Sequence, residues 1–187
     1  NHTSGVADYF EDAAEGSPKM VELVLNNPDR FFTPLDLLAF SRDFQKTVGQ
    51  PGDIYHYSDT GYIVLGMVIE AVTEQPLEEV LKERIFIPLE MKDSYLMFCG
   101  TPQNEIREIA DVWLLGQEIS SYKSLSVDWA GGGIISTLHD LSIFVRALNN
   151  GKMIRTSTLE AFYQFDYKFM RGLHYGNGFM AYHFEEY

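Results

Sequence analysis

The chain has 187 residues, 45% of them hydrophobic and 22% charged, which is the balance of one ordinary globular domain with a real core. Its net charge is −13, from 27 acidic and 14 basic residues. A surface this acidic repels phosphate backbones and anionic lipid headgroups, so neither nucleic acid nor a charged membrane surface is an expected partner.

Taken in chain order, the first helix signal is Ser17-Pro18, followed by Met20, Leu23 and Val24 on one side. Thr33-Pro34 opens a second helix, with Leu35, Leu38 and Ala39 in helical spacing. In both, a hydroxyl residue can cap and proline fits the first helical position. The strongest helix pattern runs from Asp59 to about Thr73, where Tyr62, Leu65, Gly66, Ile69 and Val72 recur at steps of three and four. Pro76 opens a further helix with Leu77, Val80 and Leu81, ending before Ile85-Phe86-Ile87-Pro88. Ser136-Thr137 opens another, with Leu141, Phe144, Val145 and Leu148 on one face and Gly151 as its stop. Ser157-x-x-Glu160 reads as a capping box. The expected helical core gathers around Leu65, Ile69, Phe144 and Leu148.

Strand signals are sparse. Ile134-Ile135 fits a short bridge, and the tyrosine- and phenylalanine-rich tail from His174 to Tyr187 alternates weakly. The stretch from Cys99 to Asp128 reads as loop with short helical pieces. The longest apolar run, Tyr62 to Ile69, is too short to span a bilayer.

Few residues stand out chemically. Tyr57-Ser58-Asp59 immediately precedes the strong helix. A tyrosine beside a helix N-terminus sits where backbone N–H groups favour negative charge, which suits a proton relay if a cation is also near. On spacing alone the simpler reading is that Ser58 or Asp59 caps the helix and Tyr57 packs against it. Gly131-Gly132-Gly133 lacks a following Gly-Lys-Ser/Thr, so it reads as a tight turn with close backbone packing rather than a phosphate loop. Ser120-x-x-Lys123 matches a nucleophile pattern, but 12 serines and 7 lysines give about half such a match by chance. Cys99, the lone cysteine, reads as a small hydrophobe. None of His2, His56, His139, His174 and His183 lies at metal-ligand spacing from another, so neither a metal nor a cofactor is expected.

The order of several segments, however, resembles the β-lactamase and D-alanyl-D-alanine carboxypeptidase family of serine hydrolases. His2-Thr3-Ser4-Gly5 is similar to its HTSG turn. Tyr55 to Gly66 (YHYSDTGYIVLG), after Pro51-Gly52, resembles its second motif and the helix that follows. Ile85 to Tyr95 (IFIPLEMKDSY) resembles its PLGM segment, Ala130 to Leu141 (AGGGIISTLHDL) its AGG-x-x-ST-x-x-DL segment, and Tyr175 to Phe179 (YGNGF) its YGLGF segment. The family's first motif, Ser-x-x-Lys, precedes HTSG. Its third, Lys-Thr-Gly or His-x-Gly, follows YGLGF, and His174-x-Gly176 overlaps that segment and does not qualify.

The resemblance implies a single domain over residues 1–187, mainly α with minor β. That domain would be the helical subdomain of a β-lactamase/transpeptidase-like α+β fold, lacking most of the central sheet. It implies acyl transfer through an acyl-serine on a small peptide, ester or β-lactam substrate in the parent enzyme, in an extracytoplasmic setting. By position, Tyr57 would assist proton transfer. Asp59 would take the place of the family's asparagine, where it accepts hydrogen bonds but cannot donate as an amide does. This chain alone is then expected to be inactive, and exposed apolar surface would favour self-association. The alternative is a non-catalytic module that binds peptidoglycan fragments or peptides, or a sensor, on the same scaffold.

Overall fold

The computed structural model describes residues 1–186. The chain enters through an extended segment that turns at His2 and Gly5, both in the left-handed region (φ 55° and 73°). A side chain at Gly5 would collide with the carbonyl oxygen of Gly49, so the backbones of residues 1–5 and 48–56 lie close together. Val48 N–H to Gly5 O, Gly52 N–H to Thr3 O and His56 N–H to His2 O join them.

Helix α1 is Met20–Asn26 and α2 is Pro34–Phe44. Ser17 does not cap α1, which starts after Lys19. Thr33 does cap α2: its hydroxyl accepts from Asp36 N–H while the Asp36 carboxylate accepts from Thr33 N–H. Helix α3 spans Asp59–Thr73 and stops at Glu74, whose φ of 55° breaks the helical path. Helix α4 (Leu77–Leu81) continues into a π-helical turn, Lys82–Phe86, and Glu70 fixes the join by accepting from Leu77 N–H. Strand β1 (Tyr95–Leu96) follows. The hairpin of β2 (Trp113–Leu114) and β3 (Gln117–Glu118) turns on Leu115 and Gly116, both at positive φ as a two-residue hairpin turn requires. A 3-10 helix, Lys123–Asp128, leads into α5 (Trp129–Gly132), and β4 (Ile134–Ile135) pairs antiparallel with β1. Helix α6 (Leu138–Asn149) is capped by Thr137 and α7 is Thr156–Phe162. No side-chain cap forms on α7, so the Ser157-x-x-Glu160 box is not used. The described chain ends in an antiparallel sheet in the order β5 (Tyr167–Met170), β6 (Leu173–Tyr175), β7 (Met180–Tyr182), followed by a 3-10 turn, Phe184–Glu186.

Helix α3 is the centre of the fold, packed against α2, α4 and α5. Its buried face is Thr60, Ile63 and Gly66. Gly66 lets α5 approach closely: a Cβ there would sit 2.6 Å from the Ala130 Cβ and 2.8 Å from the Trp129 ring. Tyr9, fully buried, ties the entry segment to this core. Its N–H donates to Thr60 Oγ1 (3.1 Å) and its hydroxyl donates to Val127 O (2.9 Å). Asp140, buried on α6, accepts from Asp93 N–H (2.9 Å) and Ser94 Oγ (2.8 Å), so the segments around positions 85–95 and 130–141 are joined.

Two expectations are corrected. Leu65 and Ile69 lie on the outer side of α3, 52% and 37% exposed, in an apolar stripe with Val64, Val68 and Val72, while Leu148 is buried as expected. The helix is apolar almost all round, so its spacing fits either face, and it is the close approach of α5 at Gly66 that selects one. Second, the chain is not a helical subdomain alone. The C-terminal sheet packs onto the entry segment and the start of α3: the Tyr175 ring lies 4.7 Å from His2, and Tyr167 stacks on Tyr55 at 5.5 Å. Short strands with aromatic residues on both faces carry almost no period-two signal, so β5 has no mark in the sequence. Among the described residues no helix is long and apolar enough to cross a membrane.

Candidate active site at the N-terminus of helix α3

Ser58 is the cap of α3. Its hydroxyl accepts from Gly61 N–H (3.3 Å) and donates to Ala7 O (3.2 Å). That fixes Tyr57 and Asp59 on either side of a rigid, fully buried residue. Ser58 N–H also donates to His2 Nδ1 at 3.0 Å, and the same nitrogen lies 3.2 Å from Ser58 O. His2 Nε2 is buried and has no partner among the described residues. Burial is the main reason that the imidazole is held neutral, its pKa brought down to about 4.

The Tyr57 ring stacks on His2 with centroids 4.2 Å apart, and Phe169 and Tyr175 close in at 5.9 and 6.5 Å. Burial, then the neighbouring Asp59 charge, pushes the Tyr57 hydroxyl up to about 12. Asp59 opens α3, where the dipole favours an anion, yet its carboxyl is raised to about 6 by burial and by the charge of Asp8. Asp8 is buried. Its carboxylate accepts from Phe10 N–H (2.7 Å) and Asp59 N–H (3.3 Å), and burial raises it too. Burial likewise raises Asp128. Gly131 lies against this group, with room for a Cβ 3.5 Å from the Asp59 Cβ. The glycine run is thus a close backbone approach beside the Tyr57–Asp59 motif.

A cleft of about 990 Å³ opens here, lined by Asp8, Glu11, Asp59 and the rings of Phe10, Tyr55, Tyr57 and Phe169. Leu114 and Leu115 of the β2–β3 hairpin form another wall. The lysine and histidine that line it are already engaged: Lys168 pairs with Glu186 at 2.8 Å and His56 hydrogen-bonds Asp12 at 2.6 Å. No lysine or arginine free of an acidic partner lines the cleft beside Asp8, Glu11 and Asp59 among the described residues.

Ionised Asp59 is costly here. Its folded pKa of about 6 stands above the ordinary 3.8, so the folded state holds the proton more tightly. Stability from this group falls as pH rises from about 4 to about 6, and the full penalty applies above that. Asp59→Asn should raise the stability of the chain at pH 7 by about 1–2 kcal/mol, after allowance for solvent screening, and by almost nothing at pH 4. Urea unfolding at the two pH values checks this. An equal gain at both would mean the charge is not the cause.

Sequence reasoning singled out Tyr57 and Asp59, and the structure brings both to one cleft. It did not single out His2, Asp8, Asp128 or Tyr175 as members of the site. The order of motifs was the only available signal, since HTSG and YGNGF flank the second motif without any spacing rule. Ser120 and Lys123 take no part: Ser120 Oγ accepts from Val112 N–H and Lys123 is exposed.

The chain is similar to known proteins in sequence and in fold. Over 97 residues the chain is 31% identical to a D-aminopeptidase of Brucella anthropi, an alignment of 52% of this chain and 17% of that protein. It superposes on the crystal structure of the D-amino acid amidase of Ochrobactrum anthropi SV3 complexed with L-phenylalanine. The identity is 28% and the TM-score 0.74, over 96% of this chain and 50% of that one. The penicillin-binding protein of Bacillus halodurans, 24% identical, shares the fold at a TM-score of 0.74, again over 96% of this chain and 55% of that one. The chain thus spans about half the length of these solved relatives. A match over 96% of its residues completes the correction of the helical-subdomain reading. The family model described as Beta-lactamase matches residues 1–184, and the chain belongs to the β-lactamase family of serine hydrolases.

Proposed function

We propose that this chain supplies the proton-handling side of an acyl-transfer site that hydrolyses an amide bond, and that its substrate carries a neutral or ammonium end rather than a carboxylate. One observation carries the reading: Asp8, Glu11 and Asp59 face an aromatic cleft with no free cation among its lining side chains. Such a cleft attracts an ammonium and repels an anion. The names of the similar D-aminopeptidase and D-amino acid amidase agree with that preference.

In this reading a serine held outside the Tyr57–Asp59 motif attacks the carbonyl and forms an acyl-enzyme, which water then hydrolyses. Tyr57 passes the proton between the serine and the leaving amine. Its phenol ionises only if a cation approaches, and Asp59 is placed to hold that cation by accepting its hydrogen bonds. The only Ser-x-x-Lys in these 187 residues is Ser120 to Lys123, which stands apart from the cleft, so the chain on its own is expected to turn over nothing. The exposed stripe of Val64, Leu65, Val68 and Val72 belongs to the same reading, as a face that drives self-association of the isolated chain. A compact monomer in size-exclusion chromatography at all concentrations would count against that part.

The enzyme that carries this chain should hydrolyse a D-amino acid amide with a kcat/KM at least about tenfold above that for an anionic cephalosporin, the separation that about 1.4 kcal/mol of charge preference gives. Faster turnover of the cephalosporin would overturn the substrate reading. A second reading, a non-catalytic module that binds peptides or peptidoglycan fragments, draws on the departure of Asp59 from the family's asparagine. Saturable binding of a muropeptide with no hydrolysis of any amide or ester would favour it.

A further inference from the structure

We infer that His174, His183 and Glu186 form a binding site for a divalent transition-metal ion of the zinc class. In sequence the two histidines are nine positions apart, a spacing that suggests nothing. The antiparallel register of β6 and β7 changes this: His174 pairs with Ala181, and His183 follows two residues later, its N–H donating to Gly172 O at 2.8 Å. The two imidazoles lie face to face at 4.3 Å and 25°. The terminal 3-10 turn then brings Glu186 across them. Its Oε1 is 2.7 Å from His174 Nε2 and 3.9 Å from His183 Nδ1, and one ligand atom from each of the three residues lies within 4.8 Å of the others.

Two imidazole nitrogens and one carboxylate oxygen are a ligand set that zinc takes, with bonds of roughly 2.0–2.2 Å and a fourth position left for water. Donors around a tetrahedral ion stand about 3.3 Å apart by that geometry, so on binding the 2.7 Å His174–Glu186 pair would open and the 3.9 Å His183–Glu186 pair would close. The side chains are 19%, 36% and 27% exposed, which leaves an open side for the ion to enter and for the water to occupy.

The surroundings of Glu186 orient it for this role. Lys168 Nζ (2.8 Å) and Gly172 N–H (3.2 Å) both donate to Oε2, which leaves Oε1 turned to the imidazoles. The Lys168 charge opposes a dication. Glu185, 3.5 Å from His183 Nδ1 and well exposed, offsets it. The site stands on the sheet that carries Tyr175 against His2 and Tyr57, so the ion would clip β6, β7 and the terminal turn together rather than take part in acyl transfer.

The test is titration of Zn²⁺ into the chelator-treated 187-residue chain at pH 7 by calorimetry, with Co²⁺ as a visible probe of the ligand field. The expected result is one equivalent bound, a Co²⁺ spectrum of tetrahedral intensity, and at least tenfold weaker binding in both His183→Gln and Glu186→Gln. His139→Gln, an exposed histidine on α6, should bind as the parent does. Zn²⁺ should also raise the melting temperature of the parent chain but not that of His183→Gln, with circular dichroism of the metal-free proteins reporting that each variant is folded. No saturable uptake by the parent chain overturns the proposal. So does equal uptake by the folded variants, which would leave an adventitious ion only and make the cluster a set of His–Glu hydrogen bonds.

Discussion

Tyr57→Phe should lower kcat of the enzyme that carries this chain by about a hundred- to ten-thousand-fold, with KM changed little. The substitution is a clean one. Tyr57 is held by ring contacts with His2, Phe169 and Tyr175, all of which phenylalanine keeps, and only the hydroxyl is lost. The hydroxyl matters because of its company. Beside Asp59 and under burial it stays a neutral phenol at neutral pH, its pKa pushed up to about 12. An approaching ammonium reverses the balance by pairing with Asp59 and favouring the phenolate, so proton transfer is switched on by assembly of the site. Steady-state kinetics on an amide substrate, with a thermal melt as control, provides the check. A loss below about threefold in a folded variant would reduce Tyr57 to an aromatic packing residue.

The second large effect concerns stability and separates the two faces of α3. Ile63→Ala should cost about 2–5 kcal/mol, because Ile63 is fully buried and its deletion leaves a cavity among neighbours that cannot collapse freely. Leu65→Ala, two positions on, should cost less than about 1 kcal/mol, since Leu65 is 52% exposed. Urea denaturation of the two variants decides it, and a reversed order would mean that α3 is rotated on its bed. The contrast is sharp because a helix fixed by Gly66 against Trp129 and Ala130 cannot turn to share its faces.

These two cases mark how far the site and the fold were legible. Tyr57 and Asp59 were found through the order of motifs, not through their own spacing, since a tyrosine two residues before an acidic helix start is ordinary. His2, 55 residues before Tyr57, and Tyr175, 118 residues after it, reach the same place only through tertiary packing, and nothing local marks them. The carboxylates of Asp8 and Asp59 look unremarkable among 27 acidic residues until burial and mutual repulsion raise them.

The sequence by itself determined where α2, α3 and α6 begin, because Thr33, Ser58 and Thr137 each satisfy N–H groups within their own first turn. It also determined family membership, because an ordered set of segments survives where single motifs are ambiguous. Tertiary structure alone decided which face of α3 is buried, that β5–β7 close over the helix start, and that two histidines meet Glu186 across a hairpin. Those outcomes depend on contacts between residues far apart in the chain, whose energies no local pattern encodes.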